Sequence, residues 1–388
     1  MGRPGHAAAA ILRMLTVLHL ITALQTGGAE SMLRKLITTS DRERFRHVVV
    51  SMLEHATVTD ALVADGIAVH SLGMRRDIFT PSAILRFLGL VRREAPQIVQ
   101  TWLYHADLLG LTGVIAARTK VVWNIRNSFH RGLSSPVTKA CALLSWMPAA
   151  IVVNSDAGRR QYGSLGYRPR RWQLIPNGFD LKVLRPDPAA RKAVRDALRM
   201  PVDAPLIGLV ARFDPLKDHD TFLRAAGVLA RTDSAVHFVL VGNGVVPGNA
   251  LLDGLVRQEG LAGRLHMLGE RRDIPWLTAA LDISSLSSYA EGFPNVIGEA
   301  MACGVPCVVT DVGDCRVIVG ETGVVVPPRD PHALAEGWRT LLRMDRETRS
   351  RLGEAARQRI ERHFSLRHVV SEYEKLYLSL AGARLCVA

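Results

Sequence analysis

Apolar residues along this chain gather in short continuous runs instead of alternating with polar ones. In the first half the runs that read as strands are Met14–Ile21, His47–Leu53, Ala68–Leu72, Gln97–Trp102, Val121–Arg126, Ile151–Asn154 and Gln173–Ile175. In the second half they are Leu206–Val210, His237–Val241, Leu265–Leu268, Ile283–Leu286, Cys307–Thr310 and Val324–Val326. A strand that is apolar on both faces must be covered on both faces, which is the habit of parallel sheets flanked by helices. Between the runs lie segments with helical spacing, among them Glu30–Thr39, Pro81–Glu94, Asp220–Ala230 and Pro331–Leu342. Strand–helix alternation on this scale predicts an α/β protein of doubly wound units. The pattern divides near Pro176-Asn177-Gly178. It predicts two Rossmann-like domains, residues 1–178 and 179–365, and a C-terminal segment, 366–388, whose helix runs over about Leu366–Leu380.

Length and composition agree with that division. At about 100–200 residues per domain, 388 residues make two domains or three. With 48% hydrophobic and 22% charged residues the chain is globular in composition. The apolar stretch Ala7–Leu24 holds Arg13 and runs into Gln-Thr-Gly-Gly, so a first buried strand fits it better than a signal peptide. No run approaches the 18 or so apolar residues of a membrane-spanning helix. Cys141, Cys303, Cys307, Cys315 and Cys386 fit no zinc spacing, and are expected to be small buried residues in a reducing compartment.

Charge changes the picture. Of the net +13, residues 1–180 carry 22 Lys and Arg against 11 Asp and Glu, or +11, and the remainder carry 27 against 25, or +2. A basic N-terminal half points to an anionic partner. Two of its segments join charge to apolar surface. Pro81–Arg93 combines Ile84, Leu85, Phe87 and Leu88 with Arg86, Arg92 and Arg93, and the stretch from Arg126 to Trp146 carries Arg126, His130, Arg131 and Lys139. They are the expected acceptor or membrane side of a cytoplasmic protein that sits on the inner membrane face. Nucleic acid is not the expected partner, because no aromatic-interleaved basic platform accompanies the charge.

Open α/β sheets bind ligands beyond the carboxyl ends of their strands. Four motifs stand at such places. Gln25-Thr26-Gly27-Gly28-Ala29-Glu30 follows the first strand, where paired glycines admit a close backbone approach and a helix N-terminus attracts anions. Arg212 and Lys217 flank another strand exit and are spaced to converge on a diphosphate. Only 7 lysines stand beside 42 arginines in the chain, so a lysine kept here argues for a compact ammonium. Val241-Gly242-Asn243-Gly244 is a tight turn beside them. The fourth runs from Glu291 through Gly292-Phe293-Pro294-Asn295-Val296 to Glu299 and on to Gly304. Asn295 is expected to cap a helix beginning at Val296, and Gly304 to end it. That helix N-terminus suits a phosphate, Glu299 a ribose, and Glu291 a sugar. Asp218-His219-Asp220 has metal-ligand spacing but follows Lys217 where a helix should start, so capping is the expectation there.

Glu291 and Glu299, with Gly-Phe-Pro-Asn between them, resemble the E-x7-E motif of family 4 glycosyltransferases, which have the GT-B fold. Gly27-Gly28-Ala29-Glu30, Gly73-Met74, Trp102 with His105, Asn154-Ser155, Pro176-Asn177-Gly178 with Asp180, Arg212 with Lys217, and Asp311-Val312-Gly313 fall in the family's order, over about residues 14–345. The resemblance implies a retaining, metal-independent hexosyltransferase acting in cell-surface polysaccharide or glycolipid synthesis. Its donor would be a nucleotide-diphosphate sugar and its acceptor a glycan or lipid-linked group, with no cofactor. It implies that Arg212 and Lys217 neutralise the diphosphate and that Gly28 gives it a backbone N–H. Glu299 would bind ribose, Glu291 and His105 would lie by the sugar, and the backbone from Phe293 to Val296 would hold sugar hydroxyls and phosphate. Gly242 and Asn243 would border the nucleotide. It also implies that the last helix crosses back to the N-terminal domain. A sugar-nucleotide epimerase of the same architecture and an inactive nucleotide-sugar-binding subunit are the alternatives.

Overall fold

The computed structural model describes residues 14–382 except 26, 55, 56, 75–79, 118, 127–134 and 202. The first half contains β1 (Leu15–Ile21), α1 (Gly28–Thr39), β2 (Phe45–Leu53), α2 (Thr57–Ala64), β3 (Ala68–Met74), α3 (Pro81–Glu94), β4 (Ile98–Trp102), α4 (Tyr104–Ala117), β5 (Lys120–Ile125), α5 (Pro136–Leu144), β6 (Ala150–Val153), α6 (Asp156–Ser164) and β7 (Trp172–Leu174). The second contains α7 (Pro188–Ala197), β8 (Leu206–Val210), a 3-10 turn (Pro215–Lys217), α8 (His219–Ala230), β9 (His237–Val241), α9 (Ala250–Gln258), β10 (Leu265–Met267), α10 (Ile274–Ala279), β11 (Ile283–Leu286), α11 (Asn295–Ala302), β12 (Cys307–Thr310), α12 (Cys315–Val319), β13 (Gly323–Val326), α13 (Pro331–Leu342), α14 (Arg346–Phe364) and α15 (Leu366–Ala381).

The strands form two parallel sheets, ordered β3-β2-β1-β4-β5-β6-β7 and β10-β9-β8-β11-β12-β13. In each sheet the chain winds outward from its first strand in one direction and then in the other. The reversal leaves a crevice between β1 and β4, and another between β8 and β11, at the carboxyl ends of the strands. Helices cover both faces of each sheet, and apolar side chains fill the layers. Val17, Trp102, Val122 and Val152 lie on one face of the first sheet, and Leu18, Val99, Trp123 and Val153 on the other.

The chain crosses between the domains twice. At the crossing, Phe179 N donates to the Phe364 carbonyl at 2.9 Å and Leu366 N donates to the Phe179 carbonyl at 2.9 Å. A Cβ on Gly178 would lie 2.9 Å from the Leu366 Cα, which explains the glycine of Pro176-Asn177-Gly178. After the second crossing α15 packs on the first sheet, burying Val369, Val370, Tyr373, Leu376 and Tyr377 among its core residues. Tyr377 donates to Gln100, Asn124 Nδ2 donates to the Tyr373 hydroxyl at 3.3 Å, and Ser40 Oγ donates to Glu374 at 2.8 Å. The terminal helix thus belongs to the N-terminal core, as its resemblance implies.

Strand ends shift by a residue or two from the expected bounds, and β5 stops at Ile125, leaving Arg126 outside it. Cys141, Cys303, Cys307 and Cys315 are buried and free. Cys386 lies outside the described residues.

Asp107 is buried in α4 among Cys141, Tyr162 and Tyr167, and accepts from the Thr101 hydroxyl. Burial raises its carboxyl well above the usual range. A raised folded-state pKa means that the folded chain holds a proton the unfolded chain has released. Its stability contribution is therefore complete below about pH 4, the value for an unfolded aspartate, and falls as pH rises towards the folded pKa. Asp107→Asn keeps an acceptor for Thr101 without the titration. Its melting temperature should exceed that of the wild type at pH 7, and the gain should shrink towards pH 4. A difference that is constant across calorimetric scans from pH 4 to 8 would contradict this account.

Candidate functional site

The turns after β8 and β11 are stitched together. Asp214 caps the 3-10 turn, accepting from Leu216 N at 2.9 Å, and this sets the direction of Lys217. Ser287 Oγ donates to the Lys217 carbonyl at 2.8 Å, and Tyr289 N to the Leu216 carbonyl at 3.1 Å. Lys217 Nζ then reaches Glu291 Oε1 at 2.5 Å, where Ser288 Oγ also donates at 2.7 Å. Both ends of the pair are sheltered, with the lysine side chain 21% and the glutamate 11% exposed. Arg212 points elsewhere. It is 65% exposed and pairs with Asp214 at 3.0 Å. The two cations expected to converge are each held by a separate acid here.

Glu291 and Glu299 are joined through α11. Phe293 is buried, its ring stacked 6.3 Å from Phe179 and tilted against Phe364 at 5.9 Å, so only its backbone is left for a ligand. Pro294 is buried beside it. Asn295 does not cap the helix: α11 begins at Asn295 itself, Pro294 takes the cap position, and Asn295 Oδ1 accepts from Asn177 Nδ2 at 2.6 Å. Proline has no side-chain acceptor, so the first N–H groups, including that of Val296, keep their capacity for an anion. Gly304, at φ 73°, follows the helix end as expected. Burial raises the Glu299 carboxyl, and the charge of Lys35 on α1 opposes that rise from the other domain.

Gly242 has no room for a side chain, since a Cβ would lie 2.1 Å from the Ala211 carbonyl oxygen. Asn243 is exposed, its carbonyl accepting from Phe213 N at 2.7 Å and its amide reaching Glu270 at 3.1 Å. Asp218 caps α8 by accepting from Thr221 N and Oγ1, and Asp220 pairs with Arg224 at 2.8 Å. Capping is thus the observed role of Asp218, as expected, and an ion pair within the helix that of Asp220.

On the opposite side Gly28 opens α1, which has no side-chain cap, and a Cβ there would meet nothing within 4 Å. Gly27 is different: a Cβ would strike the Glu30 carboxylate at 2.4 Å. His105 lies in the first turn of α4, its ring 4.8 Å from that of Tyr104. Leu103 before it takes a left-handed φ of 73°, strained for a branched residue, at this ligand-binding edge.

Asp314, which the sequence reading passed over, ties the halves together. It is 4% exposed, and its carboxylate accepts from the N–H groups of Asp156 and Ala157 at the start of α6, at 2.8 and 3.0 Å. Its place one residue after Asp311-Val312-Gly313 was the available signal. Ser288 and Lys35 were also missed, because nothing in their local sequence marks a contact made across turns or domains; Asp214 was missed although its bonds, to Arg212 and Leu216, are local.

The basic residues of the first half scatter. Arg86 is exposed but donates to the Leu72 carbonyl at 2.7 Å, and Arg93 pairs with Glu94 at 2.9 Å. Arg92 is exposed. Arg126 is half-buried, with two of its guanidinium nitrogens shut off from solvent, so it is not a freely solvated charge. His130 and Arg131 lie outside the described residues.

Among known proteins, residues 26–183 match the model of Glycosyltransferase Family 4, and residues 190–359 match that of Glycosyl transferases group 1. D-inositol 3-phosphate glycosyltransferase of Mycobacterium tuberculosis is 36% identical over 223 residues, which are 55% of this chain and 45% of that one. The chain thus spans under half the length of that curated relative. HepE of Anabaena, solved in complex with UDP, superposes with a TM-score of 0.81 at 22% identity, covering 94% of this chain and 100% of that one. A glycosyltransferase from Rickettsia africae superposes with a TM-score of 0.78 at 18% identity, covering 95% and 99%. These likenesses show the two-domain GT-B fold. With one family model on each half and the E-x7-E segment inside the second, the chain belongs to the family 4, group 1 glycosyltransferases.

Proposed function

We propose that this chain moves a sugar from a nucleotide-diphosphate donor to an acceptor, with retention at the anomeric carbon and without a metal ion. The observation that carries this reading is the join of Lys217, Glu291 and the uncapped start of α11 at one crevice, with Lys35 of α1 near enough to act on Glu299. A leaving nucleoside diphosphate develops negative charge. Lys217 and Arg212, turned from Glu291 and Asp214, and the N–H groups of α11 are positive groups that can meet it. Glu299, one turn into α11, has a carboxylate that no described hydrogen bond occupies and suits ribose hydroxyls. The backbone from Phe293 to Val296 would hold the sugar and phosphate, with Glu291 and His105 beside the sugar and Gly242 and Asn243 by the nucleotide. The D-inositol 3-phosphate transferase and the UDP complex of HepE support a nucleotide sugar as donor.

The acceptor is proposed to be a glycan or lipid-linked group in cell-surface polysaccharide or glycolipid synthesis, met at the inner membrane face. No helix among the described residues is long and apolar enough to cross a membrane. Instead α3 exposes Leu85 with Arg92, and the α5 region exposes Leu143 and Trp146 with Lys139. Arg170 stacks on Trp146, 6.0 Å from its ring.

Stabilisation of the folded chain by UDP, GDP or ADP in a thermal-shift screen would identify the donor nucleotide. Donor hydrolysis or transfer should then fall on the order of 10²–10³-fold in Lys217→Ala and in Glu299→Ala, with the circular dichroism spectrum unchanged. Wild-type rates in either variant would reject the donor site.

Turnover should survive excess EDTA, because Asp218 is engaged in capping and Asp220 in an ion pair. Loss of turnover that Mg²⁺ or Mn²⁺ restores would show that the diphosphate needs a metal.

The chain should co-sediment with anionic vesicles at low salt and release at high salt. Each basic residue near the surface adds about 1 kcal/mol, screened over a Debye length. Binding should drop when Arg92, Lys139 and Arg170 are all replaced by Gln. Protein left in the supernatant with anionic vesicles at low salt would remove the membrane from this reading.

A further inference from the structure

We infer that Arg126 is the seat of a substrate oxyanion, a phosphate or carboxylate that enters the N-terminal domain at the end of β5. Arg126 follows the last residue of β5, two residues beyond the paired row Ile21–Trp102–Asn124, on the edge where His105 also stands. Its guanidinium is built into the domain. Nη1 donates to the Tyr373 hydroxyl at 3.1 Å, and the Cζ lies 5.6 Å from the centre of the Trp102 ring. Nε and Nη2 are shut off from solvent and have no hydrogen-bond partner.

Among the described residues the charge is equally unanswered. No Asp or Glu occurs between Asp107 and Asp156. Asp107 packs on the opposite face of the sheet with Thr101, and Asp156 is held by Arg159 and Arg160. Among the described residues, the groups set against the guanidinium are the Trp102 indole and the Tyr373 and Tyr377 phenols. A guanidinium stays protonated in a protein, so it cannot escape burial by losing its charge. Water could answer the two orphan nitrogens, but it could not neutralise the cation. A buried charge is tolerable when an opposite charge meets it. The planar fork of Nε and Nη2 matches two oxygens of one phosphate or carboxylate, which it meets by turning outward, since both atoms are covered as the side chain stands. That the oxyanion belongs to a transfer substrate rests on the proposed function; that the site takes an oxyanion does not.

Two sources share this chemistry, the donor diphosphate and an anionic group on the acceptor. The test uses the full chain at constant ionic strength in chloride, with Arg126→Met and Arg126→Lys. Inorganic phosphate is titrated by calorimetry with and without a saturating nucleoside diphosphate, and UDP, GDP and ADP are titrated alone. For an acceptor anion, the wild type binds phosphate in the presence of nucleotide. Arg126→Met then weakens phosphate by about tenfold or more while the nucleotide Kd stays within about twofold. For the donor diphosphate, the same variant weakens the nucleotide by about tenfold instead. Either result supports the seat. It is overturned if Arg126→Met binds both ligands as the wild type does, including the case in which only its melting temperature falls and the guanidinium merely props Tyr373. It is also overturned if the wild type binds no phosphate and its nucleotide affinity ignores the substitution. Should the Met variant not fold, Arg126→Lys decides: it keeps the charge but loses the fork, so unchanged binding of both ligands overturns the seat and a weakened one supports it. If the wild type binds no nucleoside diphosphate, the proposed function fails, and the phosphate comparison still decides Arg126.

Discussion

The ring of Phe179 presses against the α11 backbone at Gly298, where a Cβ would lie 2.1 Å from the ring. Three parts of the molecule meet at this one side chain. Its own backbone is the first crossing between domains, and it exchanges two hydrogen bonds with the second crossing at Phe364 and Leu366. Its ring stacks on Phe293, inside the E-x7-E segment. The position of α11, and with it the separation of Glu291 from Glu299, is therefore set by the hinge as well as by the C-terminal sheet. A side chain at residue 298 could be admitted only by displacing the ring, since the near contact is rigid aromatic carbon. Glycine inside a helix costs about 1 kcal/mol relative to alanine, and here the close approach justifies it.

The polar side chains of the crevice are already arranged in opposite-charge pairs. Lys217 rests on Glu291, Arg212 on Asp214, and the field of Lys35 reaches Glu299. These pairs differ in kind. Arg212 and Asp214 are near solvent, where an ion pair is worth little and is readily exchanged. Lys217 and Glu291 are sheltered, so each depends on the other more strongly, and removing one leaves a poorly hydrated charge behind. A diphosphate entering here would compete with Glu291 for the same ammonium. The carboxylate would still keep its bond from Ser288, which holds it in place when the lysine turns. The Lys–Glu pair is thus a stored arrangement of the site that a more highly charged anion can rearrange without disturbing the main chain.

The α/β architecture was legible because it is written in local patterns. Continuous apolar runs located every strand of both sheets to within a residue or two, and Pro176-Asn177-Gly178 marked the first crossing. The glycine-rich turns and the E-x7-E spacing marked where strands end and helices begin at the carboxyl edges of the sheets. Capping was legible where Asp218 leads α8, since an aspartate before a helix has one obvious use, and it misled at Asn295. There a long-range bond to Asn177 engages the side chain that would otherwise cap. The burial of Arg126 was not legible for a similar reason. An arginine after a strand is ordinarily solvated, and nothing nearby in sequence reveals that Trp102 and, across the whole chain, Tyr373 enclose it. Contacts supplied by residues far away in sequence are what periodicity and spacing leave out.

Asp314 extends this point to the relation between the two domains. Helix α6 leaves the first sheet at β6 and presents its N–H groups towards the second domain. Ser155 answers the N–H of Gly158 at 3.0 Å, and Asp314 answers those of Asp156 and Ala157. A buried carboxylate on a helix N-terminus is favoured by both the hydrogen bonds and the dipole. The same turn is locked to the E-x7-E segment. Gly313 sits with φ 55° where a Cβ would lie 2.5 Å from the Glu291 carbonyl oxygen, and Asp314 N donates to the Gly292 carbonyl at 2.9 Å. The backbone that carries Glu291 therefore bears on Gly313 and Asp314, and Asp314 bears on α6. In this closed arrangement two successive residues connect the crevice of the second sheet to the first domain. Opening the domains would break that contact, exposing the α6 N–H groups and the Asp314 carboxylate together, and water would have to satisfy both.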